Sequence, residues 1–267
     1  MISDLIAVWS SARSQIGNSM ARTMMKNVVF VSPLMNVLIA YYLFRRSGLA
    51  NFGEHVVIGS GLMTLWGTIL WSSATDIGRE RWMGTLEILL IAPVRFPTVL
   101  LGKILGNTLL GVLAVSLSWF YARVLLGVRM TVAHPGLLLV TLGVAIFAFV
   151  GFALMLALLF TLSRNANAIA NGLGYPLYVV SGLLFPLTVL PVWVLPFGLS
   201  LPLAWAREAL RWATTGAAAG ANLLTPSWAV AAGGLLAVGI IYFVAAYGLY
   251  RYVIDRKLRQ LGQLGVS

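Results

Sequence analysis

The stretch "LLLVTLGVAIFAFVGFALMLALLFTL", residues 137–162, contains no charged side chain. As a helix it would cover about 39 Å, more than the roughly 30 Å of hydrocarbon in a bilayer. Its apolar residues are continuous rather than alternating, the pattern of a membrane helix and not of a barrel strand. Comparable runs lie on both sides of it: "NVVFVSPLMNVLIAYYLF" at 27–44, "VVIGSGLMTLWGTILWSSA" at 56–74, a longer run at 99–126, one at 168–185 and one at 228–250. The chain of 267 residues is 60% hydrophobic and 9% charged, with a mean hydropathy of +0.93. Soluble domains carry about 25% charged residues, so this chain could not cover its surface in water. The expected fold class is an all-α polytopic membrane protein with six transmembrane helices and a transmembrane domain over 27–250.

An even number of spans puts both termini on one side, and the basic residues say which. With the termini inside, Arg13, Arg22, Lys26, Arg79, Arg81, Arg95, Lys103, Arg164, Arg251, Arg256, Lys257 and Arg259 are cytoplasmic. The outer segments hold only Arg45, Arg46, Arg123, Arg129, Arg207 and Arg211. Both termini are therefore expected in the cytoplasm. This distribution also accounts for the net charge of +11 without a nucleic-acid partner.

Residues 1–26 place Ile2, Leu5, Ile6, Trp9, Ile16, Met20 and Met24 at near-helical spacing. They are expected to form an amphipathic helix in the interface, its basic residues toward lipid headgroups. Arg13, Arg22 and Lys26 follow the apolar patch, the reverse of a secretory signal. In span three Lys103 is expected to snorkel. Gly172, Gly174 and Pro176 should kink span five. Four of the ten prolines fall between 186 and 202, so 183–212 cannot be a straight span. It is expected to form short helices dipping into the membrane edge, with Trp193, Trp205 and Trp212 at headgroup level. Residues 251–267 form a basic cytoplasmic tail.

What the sequence lacks narrows the function. Cysteine is absent and the two histidines, His55 and His134, are far apart, which argues against a metal site. The seven acidic residues, Asp4, Glu54, Asp76, Glu80, Glu87, Glu208 and Asp255, fall outside the expected spans, which argues against a proton-coupled carrier. Asn36, Asn107, Asn167 and Asn171 lie in or near spans, where bonding to a neighbouring helix is the simpler role. There is no HExxH, GxSxG or Walker A pattern; "LLGKIL" at 100–105 lacks the upstream glycine and the Ser/Thr after the lysine. No cofactor is expected in this chain.

Between spans two and three lies "GRERWMGTLEILLIAPVRFP", residues 78–97. Gly84 interrupts what precedes it, and Thr85 is an acceptable N-cap. "LEILLIA" can then form about two helical turns before Pro93, which disfavours helix at Ala92. Leu86, Leu89 and Leu90 share a face at i, i+3 and i+4, and Glu87 lies in the favourable first turn. A short helix with a leucine ridge, flanked by Arg79, Glu80, Arg81 and Arg95, reads as a docking knob. A loop on the membrane surface, or an early start of span three, fits the spacing too.

These residues resemble a known family. "GRERWMGTLEILLIAPVRFPTVLLGK" is similar to the E-R-x-x-G-T-L-E-x-L-L-x-x-P…G-K pattern of membrane subunits of type-2 ABC exporters. "SGLLFPLTVLPVWVLPFGLSLPLAWAREALR", residues 181–211, resembles the block that follows span five in that family. The finer likeness is to drug-resistance and nodulation-type export permeases. Trp82 and Met83 depart from the pattern, where charged or small residues are common.

The resemblance implies a permease subunit in the bacterial cytoplasmic (inner) membrane, with no catalytic site of its own. It would pair with a second copy or a homologous permease, and with separate ATPase subunits that bind ATP and Mg. Arg79, Glu80, Arg81, Gly84, Thr85, Leu86, Glu87, Leu89, Leu90 and Pro93 would then be the coupling positions, on a helix at 84–92. Phe185, Pro186, Leu190, Pro191 and Pro202 would belong to re-entrant helices at the outer gate. Spans one, two and five would line the path of an amphiphilic, lipid-like or drug-like substrate. An ion-driven secondary transporter and a non-transporting membrane scaffold are the competing readings.

Overall fold

The computed structural model describes residues 2–45, 52–84, 96–128, 130, 132–163, 166–184, 190–216 and 225–264. Among them the regular elements are all helices: α1 (Ile2–Met20), α2 (Thr23–Phe44), α3 (Phe52–Trp82), α4 (Phe96–Leu125), α5 (Pro135–Leu162), α6 (Ala166–Val180), α7 (Leu195–Ser200), α8 (Pro202–Thr215) and α9 (Trp228–Leu264). Four of these, over Thr23–Phe44, Thr98–Leu125, Pro135–Leu162 and Trp228–Tyr252, are long and apolar enough to cross a membrane.

α5 is the axis of the core. From Ala145 onward most of its residues are buried, as expected of a helix that is apolar all round. It packs most extensively on α9, through small residues on both helices. A Cβ added at Gly239 would lie 2.9 Å from Ala148 Cα, and one at Gly151 would lie 2.7 Å from the Phe243 ring. Lipid offers apolar side chains no less welcome a surface than another helix does, so close backbone approach is what favours helix pairing in a membrane. On its other side α5 meets α3, where Trp66 and Phe152 bring their ring centroids to 4.9 Å. α8 closes the cluster with Leu203, Ala206 and Leu210.

Several boundaries differ from expectation for identifiable reasons. The first 26 residues do not form one helix. α1 stops at Met20, Arg22 is extended (φ −92°, ψ 126°), and Met24 belongs to α2. α3 reaches past its 56–74 apolar run at both ends, to about 46 Å, because Asp76 and Glu80 find partners that let the helix continue. α6 stops at Val180 rather than 185, and at about 22 Å is shorter than the hydrocarbon core. Gly182, at φ +77°, ends it in the left-handed conformation that favours glycine. The basic tail is not separate from the last span, since α9 continues unbroken to Leu264.

α1 has three faces where the sequence suggested two. Ala12, Gln15 and Ser19 are buried against α4, while Leu5, Ile6 and Trp9 are exposed. Ser10, Ser14 and Asn18 form a separate polar face. α4 receives α1 on a glycine pair one turn apart. A Cβ at Gly102 would stand 2.5 Å from the Val8 carbonyl oxygen, and one at Gly106 would stand 2.7 Å from that of Ala12.

Candidate functional site

The described chemistry gathers at the two ends of α3 and along a groove beside it. At the C-terminal end, Asp76 is buried and accepts hydrogen bonds from three directions. Asn107 of α4 donates through Nδ2 at 2.9 Å, Gln15 of α1 donates through Nε2, and Arg22 approaches at 3.3 Å. One turn on, Glu80 pairs with Lys103 of α4. Lys103, expected to snorkel, is thus engaged with a carboxylate. Spaced four apart, Asp76 and Glu80 present both acids to the same neighbour.

The expected coupling positions start at this end. Arg79 and Glu80 lie in the last turns of α3; Arg79 is half-buried and its Nε has no hydrogen-bond partner among the described residues. Arg81 belongs to the helix, which Gly84 leaves behind at φ +69°. Trp82 is 88% exposed. Thr85, Leu86, Glu87, Leu89, Leu90 and Pro93 lie outside the described residues, as do Phe185 and Pro186. Leu190 and Pro191 precede α7, and Pro202 is the buried first residue of α8.

At the N-terminal end of α3, Glu54 is buried ahead of the apolar run, in an electrostatic contact with Arg211 of α8. Desolvation by burial raises its pKa to about 7, and Arg211 partly offsets that rise. Arg207 and Glu208 pair at 3.2 Å, both nearly fully buried. Burial, with Arg211 nearby, lowers the Arg207 pKa to about 10 against the pull of Glu208. Glu208 Oε2 also accepts from the Thr225 hydroxyl at 3.3 Å. The loop before α5 joins this end through His134 N donating to Ala213 O at 3.0 Å.

Sequence reasoning placed Glu54, Asp76, Glu80 and Glu208 outside the spans; it gave Glu80 a coupling position and left the other three without a role. The structure buries all four within helices. A signal was present: Asp76 with Glu80, and Arg207 with Arg211, are like-charged pairs at i, i+4 in otherwise apolar helices. Among the described residues no group of three or more His, Cys, Asp or Glu is placed to hold a metal ion.

The groove runs between α2 and α6 over the face of α3 and has a volume of about 520 Å³. That is within the usual range for a small-molecule site, about 300–1,000 Å³. α2 lines it with Met24, Val28, Val31 and Met35, and α6 with Tyr175 and Tyr178. Asn27, Ser32, Asn36 and Asn171 add polar groups, and among the described residues no charged side chain lines it. Asn36 donates to Thr64 Oγ1 at 3.0 Å, and Tyr178 donates to Met63 O at 2.9 Å, so both are held from behind. Asn171 is exposed. A wall that is uncharged, flexible in methionine and supplied with amides suits an uncharged ligand with scattered polar groups.

Residues 7–214 of this helical chain match the family described as ABC-2 type transporter. The chain belongs to the ABC-2 type transporter family. No curated protein matches it. As an ABC-2 protein it is the permease component of an ABC transporter, a multi-pass membrane subunit that serves transport and not catalysis. Membership in the ABC-2 family implies association with an ABC ATPase and with a second permease, identical or homologous. The match ends at the last turn of α8, so the α3 ends, the groove and the Arg207–Glu208 cluster all fall within it.

Proposed function

We propose that this permease forms, with a second membrane subunit, the path of an ATP-driven exporter for an uncharged amphiphile, lipid-like or drug-like. The observation that carries the reading is the groove between α2, α3 and α6. Among the described residues its lining carries no charge, and it lies on the helix whose end leads into the leucine-ridged segment 84–92. In this reading α3 and α6 join the four long apolar helices to make six spans, with both termini in the cytoplasm. α7 and α8 are the re-entrant cap at the outer side, tied to the start of α3 through Glu54 and Arg211. The exposed apolar face of α1 rests in the cytoplasmic interface.

Energy enters from a separate ATPase that binds ATP and Mg. Its closure pushes on Leu86, Leu89 and Leu90, and α3 carries the displacement to the groove. The test is co-purification with the ATPase, the neighbouring open reading frame being the first place to find it. Leu89→Asp should abolish both association and ATP-dependent transport, because it sets a charge in an apolar contact. A Leu89→Asp complex that assembles and transports like the unaltered one refutes this coupling.

A further inference from the structure

Asp76 accepts from four donor atoms, which fill the acceptor capacity of a carboxylate, and these donors come from separate segments. Its Oδ2 accepts from Gln15 of α1 and from Asn107 of α4; its Oδ1 accepts from both Nη atoms of Arg22 at 3.3 Å. The two hydrogens of Gln15 Nε2 are shared among Asp76, Asn107 Oδ1 at 3.1 Å and Ser19 Oγ at 3.2 Å. Arg22 is the residue at which the chain turns from α1 into α2. Two residues later Met24 lines the groove, and a small hollow beside it is bounded by Arg22, Met25, Val28 and Thr75. One acid therefore joins α1, the root of α2, the last turns of α3 and the first turns of α4.

We propose that Asp76 is a positioning residue that makes the end of α3 and the root of α2 move as one body, so that displacement of the segment after Gly84 shifts the α2 wall of the groove. The inference rests on the permease reading above. Its physical basis is directional: charge-assisted bonds from four donors fix the relative position of the helices they come from, which apolar contact alone does not. Arg22 is the critical member, because its side chain is the one that reaches α3 from the root of α2.

The chain has no cysteine, so spin labels can be placed at will. Met24→Cys on α2 and Ile169→Cys on α6, both exposed, report the width of the groove. Distances are measured in the full complex with its ATPase, without nucleotide and after trapping with ATP and vanadate. The expected result is a shift on trapping in the labelled parent, and loss of that shift in Asp76→Asn with ATP hydrolysis retained. Arg22→Gln, which leaves the Gln15 and Asn107 bonds in place, should lose the shift as well, and Arg22→Lys should restore it. If Asp76→Asn does not assemble, Arg22→Gln decides. A full shift in a variant that still assembles overturns the inference, and so does a parent complex that hydrolyses ATP without any shift. A chain that never associates with an ATPase overturns the permease reading instead.

Discussion

Gly102→Ala is a one-methyl change with a large expected consequence. The added Cβ would stand 2.5 Å from the Val8 carbonyl oxygen and 2.6 Å from Ser11 Cβ, and ordinary contact begins at 3.4 Å. The first obstacle is backbone, which cannot rotate aside, so α1 must move off α4 by about 0.9 Å. Overpacking of this kind costs about 1–3 kcal/mol. The same movement stretches the Gln15 bonds to Asp76 and Asn107, each worth about 1 kcal/mol. The sum is roughly 3–5 kcal/mol, which corresponds to a fall of about 6–20 °C in Tm for a chain of this size. The assay is thermal unfolding in detergent, followed by tryptophan fluorescence. Gly17→Ala, on the exposed side of α1 with nothing within 4 Å, is the control; it should be neutral or stabilising by up to about 1 kcal/mol. If Gly102→Ala melts together with its parent while Gly17→Ala behaves as expected, α1 is not seated on this glycine pair.

Glu54 has a folded pKa of about 7 against 4.5 for the free group, so the stability linked to its proton is complete below pH 4.5 and lost as pH rises through 7. The protein should therefore melt higher at pH 5 than at pH 8, and Glu54→Gln should shrink that difference. Glu208→Ala leaves Arg207 buried without its carboxylate, which should cost about 3–5 kcal/mol in the same melting assay. Asn171→Trp fills the groove from α6; it should block ATP-dependent transport while the complex, measured by co-purification, still assembles.

The apolar runs were legible because a membrane helix states its length and its burial in one dimension. Thr23–Phe44 and Pro135–Leu162 start and end within a few residues of the runs that announced them. The ends of α3 and α6 were less legible. Whether a helix continues past its apolar run depends on partners elsewhere in the chain: Asp76 meets residues 15, 22 and 107. Asn36 and Asn107 do bond to neighbouring helices, while Asn171 faces the groove; nothing local to these asparagines distinguishes them. The leucine ridge at 86, 89 and 90 was read from spacing alone and lies outside the described residues.

The sequence by itself determined the class of protein. Too few charges to cover a surface, and apolar runs long enough to cross a bilayer, leave helices in a membrane as the physical solution, and two blocks of residues point to the family. Only the tertiary structure decided where the acids go. Hydropathy counts a carboxylate as a cost wherever it stands, but that cost is offset when donors from three other segments converge on it. Asp76, Glu80 and Glu208 are therefore buried at helix junctions, where the sequence had placed them only outside the spans. The groove is likewise tertiary, since Met24, Gly67 and Tyr175 share a wall only once α2, α3 and α6 are packed.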